Sequence, residues 1–436
     1  MFNPNSPLFK NRVDNYLRLI LVVIFLCSSL FLSSCQTQDV KDSQVTKVTL
    51  WHGINPPENR DVFNDLVAKF NRDHADVEVE ALYIGQPDDQ LPKIFAATVS
   101  GEAPDMLWFT AQLTGELAKL GALFPLENWL DNSPLKSEID PTMFSSMELN
   151  GHIYSIPFAT NNAAIFYRPS LFAEAGITET PTTWQEFKLA AKKLTKDTDN
   201  DGRIDQHGIF LSLGKGEWTV FVWLPFIYSA GGNLLVDQKP NLVNEGNIKA
   251  LELGADLVAN KWAILSAPER GYEMDNFIAG RVAMQVTGPW TLGQLATTDI
   301  EYDVFPIPPA EKPAAVIGGE NLFLFKSNQA REEASKRFFE YVLSEEFQTN
   351  WALKTGYLPI NLKSQQSTEY QAFIQDNPVL EVFLQQMSYA RSRPIIPQYT
   401  RLSENLGRAI EAVLLGKSTP EAALKRSQQR LDLLFD

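Results

Sequence analysis

The sequence predicts an α/β protein built as two lobes. Segments of strand period and helix period alternate from Val48 onward, the pattern of an α/β domain with a largely parallel sheet. The roughly 400 residues that follow a targeting segment suffice for two domains of ordinary size. The stretch Asn150 to Arg168, NGHIYSIPFATNNAAIFYR, reads as a passage from one domain into another.

That passage is built from short signals. Asn150-Gly151 sits between two apolar runs, a hairpin signal because both residues tolerate positive φ. Ile153 to Phe158 is strand-like, and Pro157 has no N–H to give a ladder, so the strand is an edge or ends there. Ala159-Thr160-Asn161-Asn162 breaks the pattern before a second apolar strand, Ala163 to Tyr167. Two strands separated by a short polar break, with no helix between them, suit a crossing whose break forms the floor of a cleft.

The chain opens on a targeting segment, residues 1–34. Lys10, Arg12 and Arg18 precede the apolar run Leu19 to Leu32, which falls short of the ~20 helical residues that span a bilayer. The run ends in Leu32-Ser33-Ser34-Cys35, which resembles the lipobox of bacterial lipoproteins, where that Cys becomes the acylated N-terminus. An ordinary signal peptide cut nearby, or an uncleaved anchor, is the competing reading. Cys27 leaves with the segment, so the mature chain carries no disulfide. Residues 35–46 are polar and read as a flexible tether. The whole chain has a net charge of −15, and removing the basic leader makes it more acidic. That balance argues against nucleic acid and anionic membrane surfaces as partners and, weakly, against a strongly anionic ligand.

The elements then follow in order. Val48 to Trp51 is a strand, and Val62, Phe63, Leu66, Val67 and Phe70 share one face of a helix over 61–73. Val77, Val79 and Ala81 alternate with Glu78 and Glu80 as a strand does. Leu91 to Thr98 is helical, Asp105 to Phe109 a strand, and 113–120 a helix ending at Gly121. Ligands of such sheets bind beyond the carboxyl ends of the strands, so the loop after Trp51, with Asn55, and the loop after Phe109, with Gln112, are candidate site loops. Past the crossing, Thr183 and Glu186 form a capping box, 208–213 is a strand, and Trp218 to Tyr228 is an aromatic run ended by Gly231-Gly232. Residues 247–260 are helical. Arg281 to Thr287 is a strand, and Gly288-Pro289-Trp290 opens a helix. Ile307-Pro308 is a second candidate crossing, Asn321 to Phe325 a strand, and 329–354 helical. Gly356-Tyr357-Leu358-Pro359 is a third candidate crossing, and the remainder is mostly helical.

Several ordered pieces resemble one family. They are Trp51-His52-Gly53, Gly101-Glu102-Ala103-Pro104-Asp105, Asn150-Gly151 with Pro157, Ala230-Gly231-Gly232, and Phe277-Ile278-Ala279-Gly280-Arg281-Val282-Ala283-Met284 with Gly288-Pro289-Trp290. Gly318-Gly319, Gly356-Tyr357-Leu358-Pro359 and Gly416-Lys417-Ser418-Thr419-Pro420-Glu421-Ala422-Ala423-Leu424 complete the set. The chain is similar to the large sugar-binding proteins of bacterial ABC importers, the group of maltose-, trehalose/maltose- and glycerol-phosphate-binding proteins. The resemblance implies a two-lobed periplasmic-binding-protein fold (type II-like) whose three crossings let the lobes close over ligand. The expected lobes are residues 47–159 plus 307–357, and 160–306 plus 358–436. The maltose binder has acidic residues where this chain has Gln112 and Asn161, so the resemblance does not carry the sugar across.

Sugar recognition asks for aromatic platforms against ring faces and polar side chains that bridge hydroxyls. The chain has nine tryptophans. Trp290 matches the family's stacking Trp, and one or two of Trp218, Phe221 and Trp223 are expected to face the cleft, the others forming helix core. Trp184 and Trp351 share helix faces with apolar residues and read as core. Asn161 and Gln112 are amides able to bridge two hydroxyls; a backbone-bonded amide is the alternative. Gly318-Gly319 would let backbone N–H groups approach ligand, or forms a plain turn. Tyr399 and Arg401 precede the penultimate helix, where the family contacts ligand; a surface Arg is the alternative.

Asp197, Asp199, Asp201 and Asp205 stand at positions 1, 3, 5 and 9 of a calcium-type loop with Gly202 at position 6. Position 12, which should supply a bidentate Glu, is Gly208. Structural Ca²⁺ or a solvated acidic turn are the two readings, and no other cofactor is called for. Enzyme motifs fail: Gly416-Lys417-Ser418 lacks the first P-loop Gly, position 411 being Glu, and no G-x-S-x-G occurs. The four histidines, His52, His74, His152 and His207, are scattered. The expectation is an exported, lipid-anchored monomer that captures a neutral disaccharide or small glycoside (maltose, trehalose, sucrose or glucosylglycerol-like) and presents it to ABC permease subunits. A carbohydrate-active lipoprotein enzyme and a binder of glycerol phosphodiesters are the alternatives.

Overall fold

The computed structural model describes residues 45–266 and 274–435. The targeting segment, Cys35 and the tether up to residue 44 lie outside the described residues.

Two five-stranded sheets organise the chain. The first runs Val77–Tyr83, Thr46–His52, Met106–Thr110, Glu320–Leu324, Ser155–Pro157. The second runs Ala263–Leu265, His207–Leu211, Val282–Thr287, Ala164–Tyr167, Asp303–Phe305. Four strands of each run in one direction, three of them as adjacent parallel neighbours, and one strand is antiparallel to both its neighbours: Glu320–Leu324 in the first, Ala164–Tyr167 in the second. Each of these strands is the one that enters from the other lobe. Arriving at the cleft end of the sheet, it must run against the strands that point toward the cleft.

Local chemistry accounts for the pieces. The Asn150-Gly151 turn has φ of 53° and 80°, and joins Glu148–Leu149 to His152–Ile153 as the hairpin signal predicts. In the Pro57–Asp73 helix, Phe63, Leu66, Val67 and Phe70 are buried against Val48 and Leu50 of the first sheet. Thr183 Oγ1 accepts from Glu186 N at 3.2 Å. The Glu186 carboxylate reaches Thr182 N and Oγ1, each at 2.8 Å, rather than Thr183. The Glu217–Ser229 helix is buried from Thr219 onward, because it packs against both the Glu245–Ala259 and Tyr399–Leu414 helices. The expected single helix over 329–354 is two, Gln329–Leu343 and Glu345–Thr355. Ser344 breaks it by capping: its Oγ accepts from Phe347 N at 3.2 Å.

The crossings depart from expectation in two places. The first passes through Ala159 to Asn162 as expected. Thr160 bridges Leu358, and Asn161 bridges Gly318, so three segments lie side by side between the lobes. The second is made at Ile317–Gly319 rather than at Ile307-Pro308. Ile307, Ala314 and Val316 stay in the second-lobe core, and Ile317 is the first to pack on the first-lobe core. The third boundary lies beyond Leu358. Ile360 is buried in the first-lobe core, and the Leu362–Gln366 and Thr368–Asp376 helices pack on Glu345–Thr355. The chain rejoins the second lobe with Leu380 and Phe383, which pack with Ala164 and Phe166.

Candidate functional site

Between the lobes lies an open cleft lined by residues of both, the kind of concave interdomain position that small-molecule sites favour. Strand ends supply it from both sides. Gly53 and Asn55 follow the Thr46–His52 strand, Thr110 ends Met106–Thr110, and Thr287 ends Val282–Thr287. The loop after Trp51 is therefore at the cleft, as the strand-end rule predicts.

One wall is aromatic. Trp290 and Trp218 meet edge to face with centroids 5.6 Å apart and 78° between planes. Phe221 lies 6.3 Å from Trp290, and Tyr357 lies 6.5 Å from it on the other side. Trp108 lines the cleft from the first lobe, and its indole N–H is buried without a partner among the described residues. Gly288 sets the Trp290 ring: a Cβ there would lie 2.0 Å from Cζ3. Only a residue without a side chain lets the indole fold back over its own strand end. The Trp290 carbonyl accepts from Asn59 Nδ2 of the first lobe at 3.1 Å.

The floor is polar and charged. Asn161 and Gly318 contribute through the paired crossings, Gly318 N donating to Asn161 O at 2.8 Å. A Cβ at Gly318 would meet Asn161 Oδ1 at 2.0 Å, and one at Gly319, whose φ is 101°, would meet Ala159 O at 2.1 Å. These glycines are required by the close approach of two crossings. Beside them Arg393, buried, donates to Glu217 Oε1 at 2.5 Å, and its guanidinium lies 5.0 Å from the Phe221 ring centroid. Tyr399 Oη donates to Glu217 Oε1 at 2.8 Å, and Ser403 Oγ donates to Glu217 Oε2. Burial opposes the charge on Arg393, but Glu217, Tyr399 and Glu320 hold its pKa above the ordinary value. Glu320 is a second carboxylate at the floor. Its Oε2 is buried without a partner, and burial pushes its pKa up to about 7 against the pull of Arg393.

The expected residues thus fall into three groups. Asn55, Asn161, Trp218, Phe221, Trp290, Gly318 and Gly319 line the cleft. Trp223 does not: it is 2% exposed, bonds Ser212 O through Nε1 at 3.3 Å, and packs over Gly254. Gln112, Tyr399 and Arg401 line an adjoining cavity. Gln112 Oε1 is buried there without a partner. Tyr399 stands behind Glu217, and Arg401, mostly exposed, pairs loosely with Glu404 at 3.5 Å. Tyr399 and Arg401 lie in the first turn of the Tyr399–Leu414 helix rather than before it. Sequence reasoning missed Glu217, Glu320, Tyr357 and Arg393. Glu217 did carry a signal, as the one charged residue in an apolar helix. Arg393, among Arg391, Ser392 and Pro394, carried none.

The acidic loop brings Asp197, Asp199 and Asp205 oxygens within 4.8 Å of one another. Asp201 stands apart, its Oδ1 accepting from Arg203 N at 2.8 Å. Position 12 is denied a carboxylate by packing: a Cβ at Gly208 would meet Ala191 O at 2.2 Å. Three carboxylates give only part of the six to eight oxygens that Ca²⁺ takes.

A family model described as bacterial extracellular solute-binding protein matches residues 65–380. The chain is 25% identical over 396 residues to a maltotriose-binding protein of Pyrococcus abyssi, covering 88% of this chain and 82% of that one. It is 24% identical over 414 residues to an sn-glycerol-3-phosphate-binding periplasmic protein of Yersinia pseudotuberculosis, covering 90% and 92%. Among solved structures, an ABC transporter solute-binding protein of Thermotoga lettingae bound with α-D-tagatose superposes with a TM-score of 0.80 at 26% identity, covering 90% of this chain and all of that one. Fold, interlobe cleft and a match over most of the chain agree: the chain belongs to the bacterial extracellular solute-binding proteins and is a binder, not an enzyme.

Proposed function

We propose that the protein is the substrate-binding subunit of an ABC importer and that its cleft takes a neutral disaccharide or small glycoside. The observation that carries the reading is the pairing of an aromatic wall with a floor whose one base among the described residues is already neutralised. Trp290, Trp218 and Phe221 offer apolar platforms for sugar ring faces. Arg393 is the basic group among the described lining residues, and Glu217 holds it. Glu320 adds a second acid. A phosphodiester would meet repulsion on that floor, so the glycerol-phosphate reading is disfavoured although several relatives carry that name. Contacts across the cleft support capture by closure: besides Asn59 and Trp290, Thr400 N donates to Glu116 Oε1 at 2.9 Å. Delivery would be to permease subunits, with Cys35 as the lipid tether at the outer face of the membrane, as its lipobox-like context suggests.

The test is native mass spectrometry of protein purified from its source, to identify a retained molecule, followed by calorimetry with that molecule, maltose, maltotriose and trehalose. A retained neutral glycoside that rebinds supports the reading. A retained phosphodiester, or a product formed from an added sugar, overturns it.

A further inference from the structure

On the second lobe, away from the floor just described, a groove borders the Tyr399–Leu414 and Pro420–Phe435 helices. Small residues, Ala409, Ala423 and Ser427, make it concave. Around it stand Lys215, Arg408, Lys417, Arg426 and Arg430 against one acid, Glu411. In a chain of net charge −15 this concentration of cations runs against composition.

Glu404 faces two of these cations, Arg408 and Lys215, and the others lack an ion-pair partner among the described residues. On the same helix but outside the groove, Lys425 is paired with Glu421 at 2.6 Å. Within the groove, Arg408 has such a partner, Glu404 at 2.6 Å. Lys215, Lys417, Arg426 and Arg430 make no ion pair among the described residues. Arg430 is nevertheless oriented. Its Nε donates to Asn405 Oδ1 at 2.7 Å and its Nη2 to Ser427 Oγ at 3.0 Å. Asn405 and Ser427 are themselves buried, and Ser427 Oγ donates to Asn405 O at 2.7 Å. Neutral, fixed partners hold the guanidinium in place without cancelling its charge. Like charges gathered in this way repel until an anion sits among them.

We propose that this groove is a binding site for a phosphate-bearing anion, separate from the interlobe cleft. A phosphoryl group offers several charged acceptor oxygens, which suits donors arriving from separate segments and the forked geometry of Arg. The groove is concave with a floor of small side chains, so it admits a compact headgroup in preference to a flat surface. A free phosphate ester and a phospholipid headgroup share this chemistry.

The experiment uses the full chain, its Lys417→Gln variant and the Arg430→Gln/Lys417→Gln double variant at low ionic strength. Pyrophosphate is titrated calorimetrically, and phosphatidylglycerol vesicles are tested by co-sedimentation. The expected result is saturable one-to-one pyrophosphate binding, weakened at least tenfold in the double variant and measurably in Lys417→Gln, whose exposed side chain makes no hydrogen bond or ion pair among the described residues. Melting temperature should remain close to wild type for Lys417→Gln, and Trp290→Ala should bind pyrophosphate normally. Vesicle binding that the double variant loses, without pyrophosphate binding, assigns the site to a lipid headgroup. Failure of both probes, binding equal in all variants, or binding of a polyglutamate peptide alone overturns the proposal.

Discussion

Gly288→Ala should displace the sugar platform without touching the tryptophan. The backbone at Gly288, φ −137° and ψ −177°, is open to any residue, so the substitution brings no backbone strain. Its only direct consequence is a methyl group 2.0 Å from Trp290 Cζ3. Carbon atoms rest ~3.5–4.0 Å apart, so that part of the ring must retreat by ~1.5–2 Å, and a gap of even 0.5–1 Å forfeits a quarter to a half of each contact. Truncating an aromatic anchor typically costs ~2 kcal/mol or more. Displacing one by this distance should then cost ~1–2 kcal/mol, about five- to thirtyfold in affinity. Gly254→Ala is the matched control. Its methyl would lie 2.4 Å from Trp223 Cη2, but Trp223 is core. Gly254→Ala should lower the melting temperature, overpacking of this kind costing ~1–3 kcal/mol, and leave affinity near wild type. Calorimetry with the retained ligand, and thermal melting, separate the two. Unchanged affinity in Gly288→Ala, or equal affinity losses in both variants, would refute the assignment of Trp290 as platform.

Three further outcomes follow from the site and its surroundings. Trp290→Ala should weaken binding about thirtyfold with a modest stability loss, whereas Trp351→Ala, fully buried with Phe158 at 5.1 Å and Tyr357 at 5.5 Å, should destabilise by ~3–5 kcal/mol as read by urea unfolding. Burial raises the folded pKa of Glu320 from 4.5 to about 7, so its contribution is present below the unfolded value and is lost as pH rises through about 7, by ~3 kcal/mol at full effect. Glu320→Gln should therefore flatten stability between pH 5 and 7 relative to wild type. His52, whose pKa burial lowers to about 4, contributes the opposite slope to both proteins and cancels in the comparison; parallel curves would show that Glu320 does not titrate there. Ca²⁺ held by Asp197, Asp199 and Asp205 would be revealed by a lower melting temperature in chelator that Asp199→Ala abolishes, and identical curves leave a hydrogen-bonded acidic turn.

Periodicity made the α/β class and most elements legible, since burial on one helix face or alternate strand positions leaves its mark in order along the chain. The Asn150-Gly151 hairpin and the first crossing were legible because turn chemistry is local. The later crossings were not. Ile307-Pro308 and Tyr357-Leu358-Pro359 mark breaks in regular structure, but which core claims Ile307 or Ile360 depends on contacts distant in sequence. The aromatic wall was readable as residue types, though an aromatic helix does not declare which rings face out. Trp218 and Trp223 lie five positions apart in sequence, one at the cleft and the other beneath Gly254's helix. The charged floor was the least legible part, because Glu217, Glu320 and Arg393 come from three distant segments and acquire meaning only where they meet.

The strand order of the first sheet has a consequence for synthesis. Ser155–Pro157 is joined to the rest of that sheet solely through Glu320–Leu324, so the sheet stays incomplete until residue 324 has left the ribosome. The second sheet needs nothing outside residues 164–305 and can assemble first, although its lobe begins later in sequence. Pairings across such long separations form slowly because the loop must close before contacts reward it. The nascent amino-terminal half therefore spends the interval with an open strand edge at Met106–Thr110, the edge that Glu320–Leu324 later covers.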